Sequence, residues 1–87
     1  MTAPLRSSQL AAEPDEFCIL VLDHGTGATL ADERRKEGID LAIRRARALH
    51  RRHGGEIARV LLRGFELGYV EGGQWRARPG GPAEVRS

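Results

Sequence analysis

Three groups of residues in this chain have the types and spacing that chemistry requires. Asp23 and His24 follow an apolar run that also holds the single cysteine, Cys18, so an acid, a base and a thiol lie within six residues of one another. Together these are the raw material of nucleophilic catalysis. His50 and His53 stand one helical turn apart and suit a shared metal ion, with His24 or Cys18 as a third ligand. Arginines 44, 45, 47, 51, 52, 59 and 63 lie between Leu41 and Arg63 against one acid, Glu56. Their guanidinium forks match phosphate and carboxylate oxygens.

The first group contains a loop with a known look. Val21 to Thr29, VLDHGTGAT, resembles the first motif of the class I S-adenosylmethionine-dependent methyltransferases, where a strand ends in an acid and a Gly-x-Gly loop admits the cofactor. The matching positions are Asp23, Gly25 and Gly27; Thr29 stands where that motif usually carries a further glycine. The resemblance implies a crevice among several alternating strands and helices, and 87 residues do not supply them. No helix N-terminus follows the loop and no Gly-Lys-Ser/Thr is present, so a phosphate cradle lacks its parts as well. The stretch reads as a hairpin turn leading into a short second strand.

The other chemical readings weaken on inspection. Neighbouring residues of a strand point to opposite faces, so Asp23, His24 and Cys18 are not brought together by the sequence itself. Cys18 reads as packing material within its apolar run. Two histidines at helical spacing are also what a helix end uses to satisfy its terminal carbonyls. The acids Asp32, Glu33, Glu37 and Asp40 alternate with cations, the pattern of a salt-bridged surface, and Asp40 and Arg44 are spaced for an i,i+4 pair. No catalytic residue, cofactor or metal site is expected.

These residues need elements to hold them. Helical spacing places Ile39, Ala42, Ile43, Ala46, Leu49 and His53 on one side, His50 near its edge, and Arg44, Arg47, Arg51 and Arg52 opposite. Extending this helix back to Ala31 would put Arg35 in the apolar face and Gly38 in its interior, so the helix begins near Gly38 and closes at Gly54-Gly55. Phe17 to Leu22 is a β-rich run. Ala58, Val60 and Leu62 alternate against Ile57, Arg59, Leu61 and Arg63, followed by an Arg-Gly turn and Phe65 to Val70. The prediction is an α+β, ββαββ-type single domain over residues 17–75, an antiparallel sheet with one amphipathic helix on one face. Residues 1–16 and 76–87 read as mobile tails.

One helix covers one face of a sheet. Phe17, Ile19 and Val21 share one parity of the first strand and Cys18, Leu20 and Leu22 the other, so the strand is apolar on both faces. A second cover is expected, from a homodimer or another protein, with Phe17, Ile19, Val21 and Leu61 at that contact. The net charge of +2 argues little by itself, and the basic residues concentrate on the helix and third strand. No stretch matches a membrane span or a signal peptide, so a cytoplasmic location is expected. The composition, rich in arginine with one lysine, has a bacterial or phage character. The function read from all this is a small non-enzymatic protein-binding module: an inhibitor, adaptor or accessory subunit that meets an acidic surface through its arginines. A nucleic-acid-binding regulator using the same side chains on phosphates is the alternative.

Overall fold

The computed structural model describes residues 14–82. Of the tails read from the sequence, residues 1–13 and 83–87 lie outside the described residues, whereas residues 15–16 and 76–77 lie in strands, so the domain extends past 17–75 at both ends. Strand β1 (Asp15–Leu22) is followed by β2 (Thr29–Glu37), helix α1 (Ile39–Arg52), β3 (Ala58–Leu62), β4 (Phe65–Glu71) and β5 (Gln74–Ala77). The sheet runs in the order β2-β1-β3-β4-β5 with every neighbouring pair antiparallel. This is the predicted ββαββ-type α+β domain, with a fifth strand that the sequence pattern did not reveal.

Because β2 and β3 both run antiparallel to β1 and flank it, they are parallel to each other. A parallel connection requires a crossover, and α1 makes it, passing over β1 from one side to the other. The helix begins where predicted. Gly38 is the N-cap in extended conformation, and its carbonyl receives the N–H groups of Leu41 and Ala42. At the other end Gly54 and Gly55 both take positive φ, 70° and 88°, and their N–H groups bond to the carbonyls of Arg51 and His50. A side chain with a Cβ is strained in that region, so the two glycines close the helix.

The core lies between α1 and one sheet face. Phe17, Ile19 and Val21 of β1, Ala58 and Val60 of β3, and Val70 of β4 are buried beneath Ile39, Ala42, Ile43, Ala46 and Leu49. Register explains the grouping: Phe17 opposes Leu62, Ile19 opposes Val60 and Val21 opposes Ala58, and directly opposed residues share a face. Leu61 opposes Cys18 and lies on the far side. At the other edge, Trp75 packs against the core across from Val70 and leans over Gly68, where a Cβ would strike its ring.

Strand β2 corrects the expectation of a short second strand. Eight of its nine residues pair with β1, Leu30 being skipped at a shift in register, although six of the nine side chains are charged. Ala31, Glu33, Arg35 and Glu37 are half-buried on the helix side; Asp32, Arg34 and Lys36 are exposed. Backbone pairing with an apolar neighbour suffices to form an edge strand, and charge on its outer rim discourages uncontrolled pairing with other chains.

Candidate functional site

The Asp23–Gly27 loop is a turn organised by its own acid. Asp23 Oδ1 accepts the N–H groups of Gly25 at 2.8 Å and Thr26 at 2.9 Å, and the Asp23 carbonyl accepts the Gly27 N–H at 2.8 Å. Those backbone donors hold the Asp23 carboxyl below its ordinary pKa. The loop joins two antiparallel strands and leads into β2, so it is not followed by the helix that a cofactor loop uses. His24 is 88% exposed, and its Nδ1 lies 2.5 Å from Glu56 Oε1 while its backbone N–H donates to Oε2 at 2.6 Å. The hydrogen bond and the charge of Glu56 raise the His24 pKa. Asp23, His24 and Glu56 together tie the β1–β2 loop to the segment entering β3.

The histidine pair resolves into two unlike residues. Sequence spacing placed His53 on the apolar side and His50 at its edge; the structure buries His50, 5% exposed, and leaves His53 half-buried as the C-cap. His50 Nδ1 lies 2.8 Å from the Glu56 carbonyl, and Nε2 receives the Gly73 N–H at 3.1 Å. An amide N–H only donates, so Nε2 carries the lone pair and Nδ1 the proton that Glu56 accepts. The ring thus links the end of α1, the approach to β3 and the β4–β5 turn. Among the described residues, no three of His, Cys, Asp or Glu gather as a metal site. Cys18 donates its thiol to Asp32 Oδ1 at 3.3 Å, and partial burial with that carboxylate nearby raises its pKa.

The seven arginines are not one array. Arg45 forms a bidentate pair with Glu33 of β2, both bonds 2.8 Å, pinning the helix to the sheet edge and lowering the Glu33 pKa. Arg59 and Arg63 sit beyond the helix. Arg59 lies on the opposite sheet face, where it donates to Glu66 at 2.7 Å. Arg63 occupies the tight β3–β4 turn with φ 51°, beside Phe65, which is 77% exposed. On α1 itself Arg44, Arg51 and Arg52 are exposed and make no ion pair among the described residues, and Arg47 is half-buried. The expected Asp40–Arg44 pair does not form; one Asp40 oxygen is buried without a hydrogen-bond partner.

Helical spacing orders these side chains further. Leu41, 51% exposed, and the half-buried Ala48 lie two turns apart on the outer side of α1. Arg44, Arg47 and Arg51 border this seam on one side, Arg45 and Arg52 on the other. The result is a short apolar strip between two basic rows.

The far side of the sheet has no layer on it among the described residues. It presents Cys18 and Leu20 of β1 and Leu61 of β3, all half-buried, which corrects the contact expected at Phe17, Ile19 and Val21: those three are sealed under the helix, and only Leu61 faces outward. The rim is polar. Glu66 accepts from Arg59 and, at 2.5 Å, from Arg78, whose guanidinium lies 5.0 Å above the Tyr69 ring. Burial would raise the Glu66 pKa, but the two arginines outweigh it and hold the carboxyl low. At one end Glu16, Cys18, Arg34, Leu61 and Arg63 line a groove of about 440 Å³.

These features define a small α+β domain with two distinct open surfaces, the basic helix face and the bare sheet face. No helix among the described residues is long and apolar enough to cross a membrane. Neither a protein-family model, nor a curated protein, nor a solved structure matches the chain.

Proposed function

We propose that this chain is a non-enzymatic protein-binding module that docks on an acidic surface of a larger protein through the solvent face of α1, as an inhibitor, adaptor or accessory subunit. One observation carries the reading: Leu41 and Ala48 form an apolar seam between rows of arginines, of which Arg44, Arg51 and Arg52 make no ion pair among the described residues. An apolar centre with an arginine rim is the make-up of a protein interface, and the rim charges steer the approach of an acidic partner. Asp23 and His24, the residues drawn as a catalytic pair, and His50, drawn as a metal ligand, hold turns and strand ends through their hydrogen bonds, which supports a role in contact.

The same arginines also suit nucleic-acid phosphates, and this second reading rests on their number and exposure. Base stacking has less support. Tyr69 is covered by Arg78 and Trp75 leans over Gly68, leaving Phe65 at the hairpin tip as the widely exposed aromatic.

A pull-down from the native host, with and without nuclease, separates the two. A protein should be retained after nuclease and lost with Leu41→Glu or with Arg44, Arg51 and Arg52 all changed to Glu. If nuclease releases everything, and random DNA or RNA shifts at moderate salt with the wild-type chain but not the charge-reversed one, the protein-binding reading fails.

A further inference from the structure

We propose that the bare sheet face is covered by a second copy of this chain, packed face to face about a two-fold axis parallel to the strands and passing between β1 and β3. The proposal concerns the surface opposite α1 and stands independently of the helix-docking function. Strand β1 is apolar on both sides, and only its Phe17, Ile19 and Val21 side is sealed. A sheet with two apolar faces needs two covers.

The choice of a second copy rests on charge complementarity in the register. Across the proposed axis β1 of one copy faces β3 of the other, and β2 faces β4. Cys18 opposes Leu61 and Glu66 lies beside Leu61, while Arg34 lies beside Cys18 on the other flank. Rotation about the axis therefore sets each copy's Cys18 over the other's Leu61, and each Arg34 over the other's Glu66. One step along the strands, Leu20 meets the aliphatic stem of Arg59, and Asp32 falls over Tyr69, whose ring carries the Arg78 guanidinium. At the groove end Glu16 meets Arg63, and both are exposed without an ion pair among the described residues. Every pairing occurs twice, as a two-fold interface demands. Aligned packing of two sheets tolerates this overlay, because strand directions then differ by only about 30°.

The arrangement predicts an unusual mixing result with the full chain. Glu16→Arg places arginine against arginine in its homodimer, and Arg63→Glu places glutamate against glutamate. Each variant alone should dimerise about tenfold more weakly than wild type in sedimentation equilibrium, since two contacts change sign at once. An equimolar mixture restores both contacts and should dimerise within about threefold of wild type. A purely intrachain effect would not be repaired by mixing. As an independent measure, alkylation of Cys18 by iodoacetamide should slow as the wild-type chain is concentrated into its dimer, and Leu61→Arg should abolish that protection while leaving the far-UV spectrum unchanged. A wild-type chain that stays monomeric at several hundred micromolar overturns the proposal and assigns the cover to a different protein. A dimer that neither protects Cys18 from alkylation nor responds to mixing overturns it in favour of another interface, such as the β2 edge.

Discussion

Replacing His50 by leucine removes two hydrogen bonds while roughly keeping the side-chain volume. In the wild-type chain the buried ring donates through Nδ1 to the Glu56 carbonyl at 2.8 Å and accepts the Gly73 N–H at Nε2 at 3.1 Å. Each bond contributes about 1 kcal/mol net, and a backbone group left buried without a partner costs about 1–3 kcal/mol. Local opening admits water to part of the site, and leucine recovers some apolar contact, so the expected loss is about 2–4 kcal/mol. For a small domain with a total stability of roughly 5–10 kcal/mol this is a large share, corresponding to a fall in Tm on the order of 10–30 °C. Urea titration followed by both far-UV circular dichroism and Trp75 fluorescence measures it, and Trp75 is the chain's single tryptophan. His50→Gln retains a donor and an acceptor and should recover part of the loss. A loss below about 1 kcal/mol would refute the linkage role of His50. Equal losses for leucine and glutamine would show that ring volume, not polarity, holds the three segments together.

Other consequences follow from single contacts. Gly68→Ala forces a Cβ into the Trp75 ring and to 2.7 Å from the Arg76 carbonyl; it should cost about 1–3 kcal/mol and shift Trp75 emission to the red as the ring is displaced. The His24 pKa should stand above 6.5 in a histidine NMR titration and return toward it in Glu56→Gln. Because that pKa is raised, the contact's stabilisation is complete below 6.5 and is lost as pH rises through the folded value, which thermal melts between pH 5 and 9 will register in wild type but not in Glu56→Gln. Glu66 has the opposite sign. Its lowered pKa means that the Arg59–Glu66–Arg78 contribution is present above 4.5 and lost as pH falls through the folded value, so Glu66→Gln should flatten the acid limb of the same melts.

Much of the core was legible in the sequence because periodicity is a local property. The apolar stripe of α1 and the alternating burial of β3 follow from side-chain direction alone, and the structure buries Ile39, Ala42, Ile43, Ala46, Leu49, Ala58 and Val60 accordingly. The helix ends were equally legible, since Gly38 and Gly54-Gly55 act on neighbouring backbone. The length of β2 was not, because six charges in nine residues give no apolar alternation; the partner strand, not its own composition, makes it a strand. Strand β5 escaped notice for a related reason: four residues are too few for a period, and Trp75 finds its place by packing on Gly68.

The candidate surfaces divide along the same line. By itself the sequence determined that one helix face is basic, that β1 is apolar on both parities, and that the Asp23 loop is a turn. Tertiary structure decided which of these reach solvent. It sorted Leu61 away from Phe17, Ile19 and Val21 through the β1–β3 register, and chose His50 over His53 because the β4–β5 turn brings the Gly73 N–H to that ring. It also divided seven arginines between two sides of a sheet, since Glu33 and Glu66, remote in sequence from Arg45 and Arg59, become their neighbours only when strands pair. Side-chain direction is set by adjacent residues; counter-ions and hydrogen-bond partners are set by which strands lie side by side, and that depends on the whole chain closing around its core.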